Sequence, residues 1–207
     1  MITKVRISGL TLLTILLASC SLPGISNEST AQEDEFPEEI SQAYTAELFS
    51  QGFEFCSESY LEVEIEQSHE IAQFNFSNYV NAVGQLPLKA FGLNEKSGLE
   101  TKSDIELTGE GWAGICQFKS SGSISFQLLA RLIPGEGNNP HLLIQGQCES
   151  ALTTKPPCGD FGMMPLEKAV HLVIPYQDGE TTEWEWENRV VGVYGSSKWT
   201  IHIPCDN

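Results

Sequence analysis

The chain is poor in positive charge. Its 207 residues contain 11 Lys and Arg against 28 Asp and Glu, which gives a formal net charge of −17. None of the basic residues lies between Ser21 and Leu88. A surface of this sign repels phosphate backbones and anionic lipid headgroups, so the composition argues strongly against a nucleic-acid-binding protein.

Several motifs of catalysis and cofactor binding are also missing. The sequence has no GxSxG, SxxK or EF-hand pattern, and it lacks the CxxC pair of thioredoxin-like proteins. Residues 109–114 fit GxGxxG, but a strand-like run follows them instead of a helix, so they are interpreted as a Gly-rich turn. Residues 69–73 (HEIAQ) lack the second histidine of a zinc protease, and His69 is interpreted as a turn residue. We therefore expect no cofactor and no metal site, and a binding protein rather than an enzyme.

The first twenty residues indicate where the protein is located. Lys4 and Arg6 precede a short apolar stretch, which ends in Leu17-Ala18-Ser19-Cys20. These four residues resemble the lipobox of bacterial lipoproteins. The resemblance implies that residues 1–19 are a signal peptide and that Cys20 is acylated after cleavage. It also implies an exported protein whose lipid anchors it to the cell membrane or the outer membrane.

Two further regions follow the proposed anchor. Residues 20–36 are small, polar and acidic, which is typical of a disordered tether. Residues 37–207 are predicted to form a single β domain with a leading short helix. Pro37 and the acidic residues after it are typical of a helix start, and Gly52 is expected to end the helix. Its packed face is predicted to contain Ile40, Ala43, Tyr44 and Leu48.

The remainder of the chain alternates between apolar and polar residues with a period of two. Such alternation over about nine or ten short segments predicts an all-β fold, either an antiparallel sandwich or a barrel. Turns are expected where Gly, Ser, Asp and Pro cluster. The clusters are Ser120-Ser121-Gly122, residues 135–140, Asp178-Gly179 and Gly195-Ser196-Ser197.

Five cysteines remain if Cys20 carries lipid, and an exported location permits disulfides. Cys148 and Cys158 flank a Pro-containing loop and are the preferred pair. Cys116 with Cys205 is the second predicted pair, which leaves Cys56 unpaired. Fifteen pairing schemes are possible, so spacing alone does not decide among them.

Three side chains are candidates for ligand binding. Trp184 and Trp186 share one strand face and would form a platform for sugar rings or apolar ligands if exposed, or core packing if buried. His171 alternates with apolar residues and is expected to be partly buried, where it could act as a base beside a carboxylate such as Asp160. The glutamates at 62, 64 and 66 and at 183, 185 and 187 could bind Ca²⁺, but they are better explained as the solvated faces of two strands.

These features favour a membrane-anchored module that binds an envelope protein or a small ligand without catalysis. Two alternatives stay open. One is an envelope hydrolase whose catalytic residues are dispersed along the chain, and the other is a structural envelope component. An apolar cavity lined by tryptophan would indicate a ligand carrier, whereas a filled core with an exposed patch would indicate a protein partner.

Overall fold

Alternating residues give this chain long antiparallel strands. The computed structural model describes residues 38–91, 98–135, 139–155, 166–188 and 192–205. The predicted lipobox and tether, together with Cys158 and Asp160, lie outside the described residues. Within these ranges there are one α-helix and nine strands. They are α1 (Glu38–Ser50), β1 (Tyr60–Ile71), β2 (Phe76–Pro87), β3 (Lys89–Phe91), β4 (Gly98–Ala113), β5 (Cys116–Pro134), β6 (Pro140–Lys155), β7 (Leu166–Pro175), β8 (Thr181–Asn188) and β9 (Val193–His202).

The strands form one antiparallel sheet that nearly closes into a barrel. Their order is β7-β6-β5-β4-β2-β1-β9-β8, and β3 adds to the start of β4. The described parts of β7 and β8 share no backbone ladder, but the Lys168 ammonium donates a hydrogen bond of 3.1 Å to the Glu187 carbonyl between them. The predicted all-β fold with a short leading helix is confirmed.

One end of the barrel is apolar and is covered by α1, and we call it the helix end. The Ser41 hydroxyl donates a 2.9 Å hydrogen bond to the Leu132 carbonyl, which fixes the helix against β5. Four aromatic rings pack together below it, with neighbouring centroids 5.5–6.0 Å apart. They belong to Phe49, Phe53, Phe55 and Tyr176. A disulfide between Cys56 and Cys205 joins the segment after α1 to the end of β9.

The predicted end of the helix is confirmed, but its predicted packed face is wrong. The helix ends before Gly52, whose φ of +93° suits a glycine. Its buried residues are Ser41 and Thr45, with Tyr44 and Leu48 packed against the core, whereas Ile40 and Ala43 are exposed. The predicted face is therefore rotated, because two hydroxyl side chains satisfy their hydrogen bonds on backbone carbonyls and so can be buried.

The opposite end of the barrel holds the β1–β2 and β4–β5 hairpin turns, and we call it the hairpin end. Its interior is unusually polar. The Ser120 hydroxyl donates to the Asn78 side-chain oxygen over 2.9 Å, and Gln67 is hydrogen-bonded to His69. All of these side chains are buried, as is Thr154. Burial lowers the pKa of His69, so the imidazole is neutral inside the barrel.

Two predicted turns at the hairpin end are wrong, because Ser120-Ser121-Gly122 lies within β5 and Gly195-Ser196-Ser197 lies within β9. Of the Gly-rich turn predicted at residues 109–114, Gly109 and Gly111 lie within β4 and only Gly114 is in the turn. The glycines permit close approach of neighbouring backbones. A Cβ at Gly122 would lie 1.9 Å from the Ala151 carbonyl oxygen. His69 is likewise a buried residue of β1 and not a turn residue.

The predicted disulfides are also wrong. Cys205 pairs with Cys56, the residue expected to be left over, because the two chain segments meet at the helix end. Cys148 is a free thiol that faces the interior from β6, so it is not paired with Cys158. Burial raises the pKa of the Cys148 thiol to about 11, which keeps it protonated at neutral pH. Cys116 is disulfide-bonded, as expected, although not to Cys205.

Candidate functional site

An acidic trough crosses the outer face of β8, β9 and β1. Antiparallel pairing places Ser196 between Glu185 and Glu66, so a small side chain lies between two long ones. Two residues away along β9, on the same face, Tyr194 lies beside Glu187 of β8. The trough has a volume of about 540 Å³. It is lined by Glu66, Gln67, Ser68, Tyr79, Glu185, Trp186, Glu187, Tyr194, Gly195 and Ser196.

The trough combines negative charge with aromatic surface. Tyr79 and Tyr194 are 47% and 45% exposed, which is high for tyrosine in a sheet. Desolvation raises the pKa of Tyr79, and the negative charge of the nearby Glu66 carboxylate raises it further. Carboxylates beside tyrosine rings are the groups that recognise ammonium and guanidinium cations.

No described residue that lines the trough is basic. Among the described residues of this face, Lys198 lies next along β9, between Glu64 and Glu183 in the strand register. Its ammonium is 4.0 Å from the Glu64 carboxylate, and both side chains are about half exposed. Lys198 is therefore paired with the adjoining part of the face and does not line the trough.

Two buried side chains lie beneath the trough. Gly195 pairs with Gln67 on one side and Trp186 on the other, and the indole ring fills the space that a Cβ of Gly195 would need. Within the described structure, neither the Gln67 side-chain oxygen nor the Trp186 indole nitrogen has a hydrogen-bond partner. A buried polar atom without a partner costs about 1–3 kcal/mol, so these two side chains make an unfavourable contribution to the free energy of folding.

The structure separates the three predicted ligand-binding residues. Trp186 is buried and Trp184 is half-buried, with ring centroids 4.9 Å apart, so the pair packs against the core and is not an exposed platform. His171 lies on the outer face of β7 and is exposed, which corrects its expected partial burial. Its ring nitrogen is 3.4 Å from the Gln145 amide. Only Trp186 contributes to the trough.

The sequence did not indicate Tyr79, Tyr194 or the meeting of the two glutamate ladders. Both ladders were expected to be solvated, and Glu64, Glu66, Glu183, Glu185 and Glu187 are exposed. Their approach to each other depends on β9 pairing between β1 and β8, which no local pattern specifies.

Among the described residues, no group of three or more His, Cys, Asp or Glu side chains is arranged to hold a metal ion. The described part of the chain also contains no helix with the length and apolar character needed to cross a membrane.

Comparison with protein-family models, with curated proteins and with solved structures finds no match to this chain.

Proposed function

We propose that the protein is an exported, lipid-anchored module that binds a basic segment of an envelope protein in the acidic trough, without catalysis. The observation that carries the proposal is the trough itself. Three carboxylates and two exposed tyrosine rings surround a groove whose described lining contains no basic residue. The anchor rests on the resemblance of Leu17–Cys20 to a lipobox, and replacing Cys20 by Ser is expected to release the protein from membranes.

A protein partner fits the packing better than a small apolar ligand. The tryptophan rings that could have lined a ligand cavity contact each other and the core. The trough is instead open along the outer face, where an extended chain can place lysine or arginine side chains between Glu66 and Glu185. Cationic side chains gain from both the carboxylates and the tyrosine faces.

Binding of a defined cationic probe tests the site. The full mature chain in detergent is titrated with a fluorescent hexalysine peptide, followed by anisotropy. The variant Glu66→Gln, Glu185→Gln, Glu187→Gln removes the three trough carboxylates. Three exposed pairs at about 0.5 kcal/mol each give about tenfold weaker binding.

A matched variant separates the site from the overall charge. Glu100→Gln, Asp104→Asn, Glu106→Gln removes three exposed carboxylates from a part of the outer face of β4 that does not adjoin the trough, so its net charge is identical. We expect less than a threefold effect on hexalysine binding. Equal weakening by both triple variants would show that only net charge matters and would remove the support for the trough.

In cells, a photo-crosslinking amino acid in place of Tyr194 should capture a partner in the control background and lose it in the trough variant.

A further inference from the structure

The β4–β5 hairpin presents an apolar tip at the hairpin end. Ile115 is 99% exposed, and Trp112 on the preceding strand is 49% exposed. Ala113 pairs with Cys116, so Gly114 and Ile115 form a two-residue turn, and Gly114 has a φ of +63°. A fully exposed isoleucine at a turn gains nothing from folding, because β-branched side chains favour strands and burial.

The tip is held firmly in place. The Gly114 amide donates a 2.9 Å hydrogen bond to the Asn75 carbonyl, and the Asn75 side-chain amide donates a weaker 3.4 Å bond to the Gly114 carbonyl. Asn75 takes the left-handed conformation, with φ of 46°, to make this contact. At the base, the rings of Phe76 and Phe118 stack with centroids 5.4 Å apart, and Cys116 is disulfide-bonded. The β1–β2 turn therefore braces the β4–β5 turn.

On β4 and β5, the charged side chains nearest the tip balance each other. The closest outward residues with charge on the two strands are Glu110 and Lys119, which face each other in the ladder and cancel. They lie four residues from the turn, about 13 Å along the strand. The carboxylates of the acidic trough are on other strands, and salt screens charges beyond about 10 Å. The charged residues of these two strands therefore place no net charge beside Ile115.

We propose that this tip inserts into the surface of the lipid bilayer to which the protein is anchored, with Ile115 in the acyl region and Trp112 at the headgroups. A rigid apolar point with an adjacent indole suits the membrane interface, where tryptophan is enriched. The proposal rests on the lipid anchor proposed above. The tether joins the domain at the helix end, and the chain from Leu132 to Ile115 spans about 56 Å along the strand. Residues 20–36 reach about 55 Å when fully stretched, so an extended tether allows the tip to reach the bilayer.

Two apolar side chains bind a membrane too weakly to hold a protein there alone. Stable attachment requires more buried hydrocarbon than one isoleucine and part of an indole supply. The anchor raises the local concentration of the tip at the bilayer, which makes a weak contact persistent. The tip thus determines which way the anchored domain faces.

Depth-dependent fluorescence tests this orientation. A genetically encoded environment-sensitive fluorescent amino acid replaces Ile115 in the full mature lipidated chain, which is placed on phosphatidylcholine vesicles. A control chain carries the probe in place of Val83, which is 68% exposed on the outer face of β2. We expect a blue shift and at least twofold quenching by nitroxide-labelled lipids at position 115, with neither effect at position 83.

A second pair of chains keeps the result from depending on the probe itself. The probe replaces Trp112, and Ile115 is either retained or changed by Ile115→Asp. Because the Ile115 side chain is 99% exposed, the change removes no packing contact and leaves the fold intact. We expect it to abolish quenching at position 112. If the lipidated chain floats with vesicles but positions 115 and 83 are quenched equally, the tip proposal is overturned and the anchor stands. If the chain does not float, both are overturned.

Discussion

The two ends of the barrel differ in the residue types that fill their interiors. At the helix end, most inward residues are large and apolar, and α1, an aromatic cluster and the Cys56–Cys205 disulfide cover them. At the hairpin end, the inward positions carry Gln67, His69, Asn78, Ser120 and Thr154, all buried. Glycines on β4, β5 and β9 allow neighbouring backbone and side-chain atoms to approach closely, because a Cβ at these positions would meet them. One end is therefore held by hydrophobic burial and a covalent link, and the other by hydrogen bonds and close backbone contact.

The two ends therefore have different roles: the helix end stabilises the fold, and the hairpin end positions exposed side chains. Apolar burial contributes most of the free energy of folding, at about 25 cal/mol per Å². Buried hydrogen bonds contribute about 1 kcal/mol each, but they fix geometry because an unmade bond is costly. The features to which we assign binding lie towards the hairpin end. Tyr194 and Glu187 are next to the β8–β9 turn, and Ile115 is at the β4–β5 turn. The helix end stabilises a frame on which the polar end positions exposed groups.

Removing the disulfide gives the largest expected loss at the helix end. Cys56 and Cys205 are 149 residues apart, so the bond restricts a very long loop in the unfolded chain. The double change Cys56→Ser, Cys205→Ser is expected to lower the free energy of unfolding by about 2–5 kcal/mol. Urea denaturation measures the loss. The parent protein without reductant is the control, and a loss below about 1 kcal/mol would show that the apolar packing holds this end by itself.

Placing a methyl group at Gly122 tests the close packing of the hairpin end. An alanine in a strand is ordinarily more stable than glycine by about 0.5–1 kcal/mol. Here the sign is expected to reverse, with Gly122→Ala destabilising by about 1–3 kcal/mol, because the added carbon meets the Ala151 carbonyl. Ser123→Ala, on the neighbouring outward position of β5, is the matched control and should change stability by less than about 0.5 kcal/mol. If Gly122→Ala were neutral or stabilising, the backbones at this end would have room to separate.

The contrast between the ends also explains which sequence predictions succeeded. Period-two alternation predicted the strands correctly where the interior is apolar, as in β7 with Val170, Leu172 and Ile174 inward. Where the interior is polar, Ser120-Ser121-Gly122 and Gly195-Ser196-Ser197 have the composition of turns, yet they are strand residues. Local propensity cannot distinguish a solvated serine from one that donates to Asn78 across the barrel. Tertiary pairing decides, and it is not encoded within a short window.

The same limit applies to the candidate site. Each glutamate ladder was recognisable as the outer face of a strand, but the trough exists because β9 lies between β1 and β8. Likewise, the Cys56–Cys205 pair depends on the first strand and the last meeting side by side. These contacts join residues more than 100 positions apart, and the sequence of neither partner specifies the other.

The smallest expected effect concerns the charge of His69. Its folded-state pKa lies below the usual value of about 6.5, because burial disfavours the imidazolium. Its partners in register, Asn78 on β2 and Val193 on β9, are uncharged, as is Gln67 beside it. Below pH 6.5 the unfolded chain binds a proton that the folded chain does not. The free energy of unfolding therefore falls as the pH falls from about 6.5 towards the folded-state pKa, and it is unaffected by His69 above that window.

The change His69→Gln keeps a polar group that can bond to Gln67 and removes the titration. Urea unfolding at pH 7.5 and pH 5.5 should show a smaller loss of stability in the variant than in the parent protein. His171→Gln, at an exposed position on β7, is the matched control for a change of histidine to glutamine. Equal losses in the parent and in His69→Gln would mean that the hairpin end accepts a buried positive charge. Its hydrogen bonds would then rearrange with pH, and the rigidity that we attribute to this end would not hold below neutral pH.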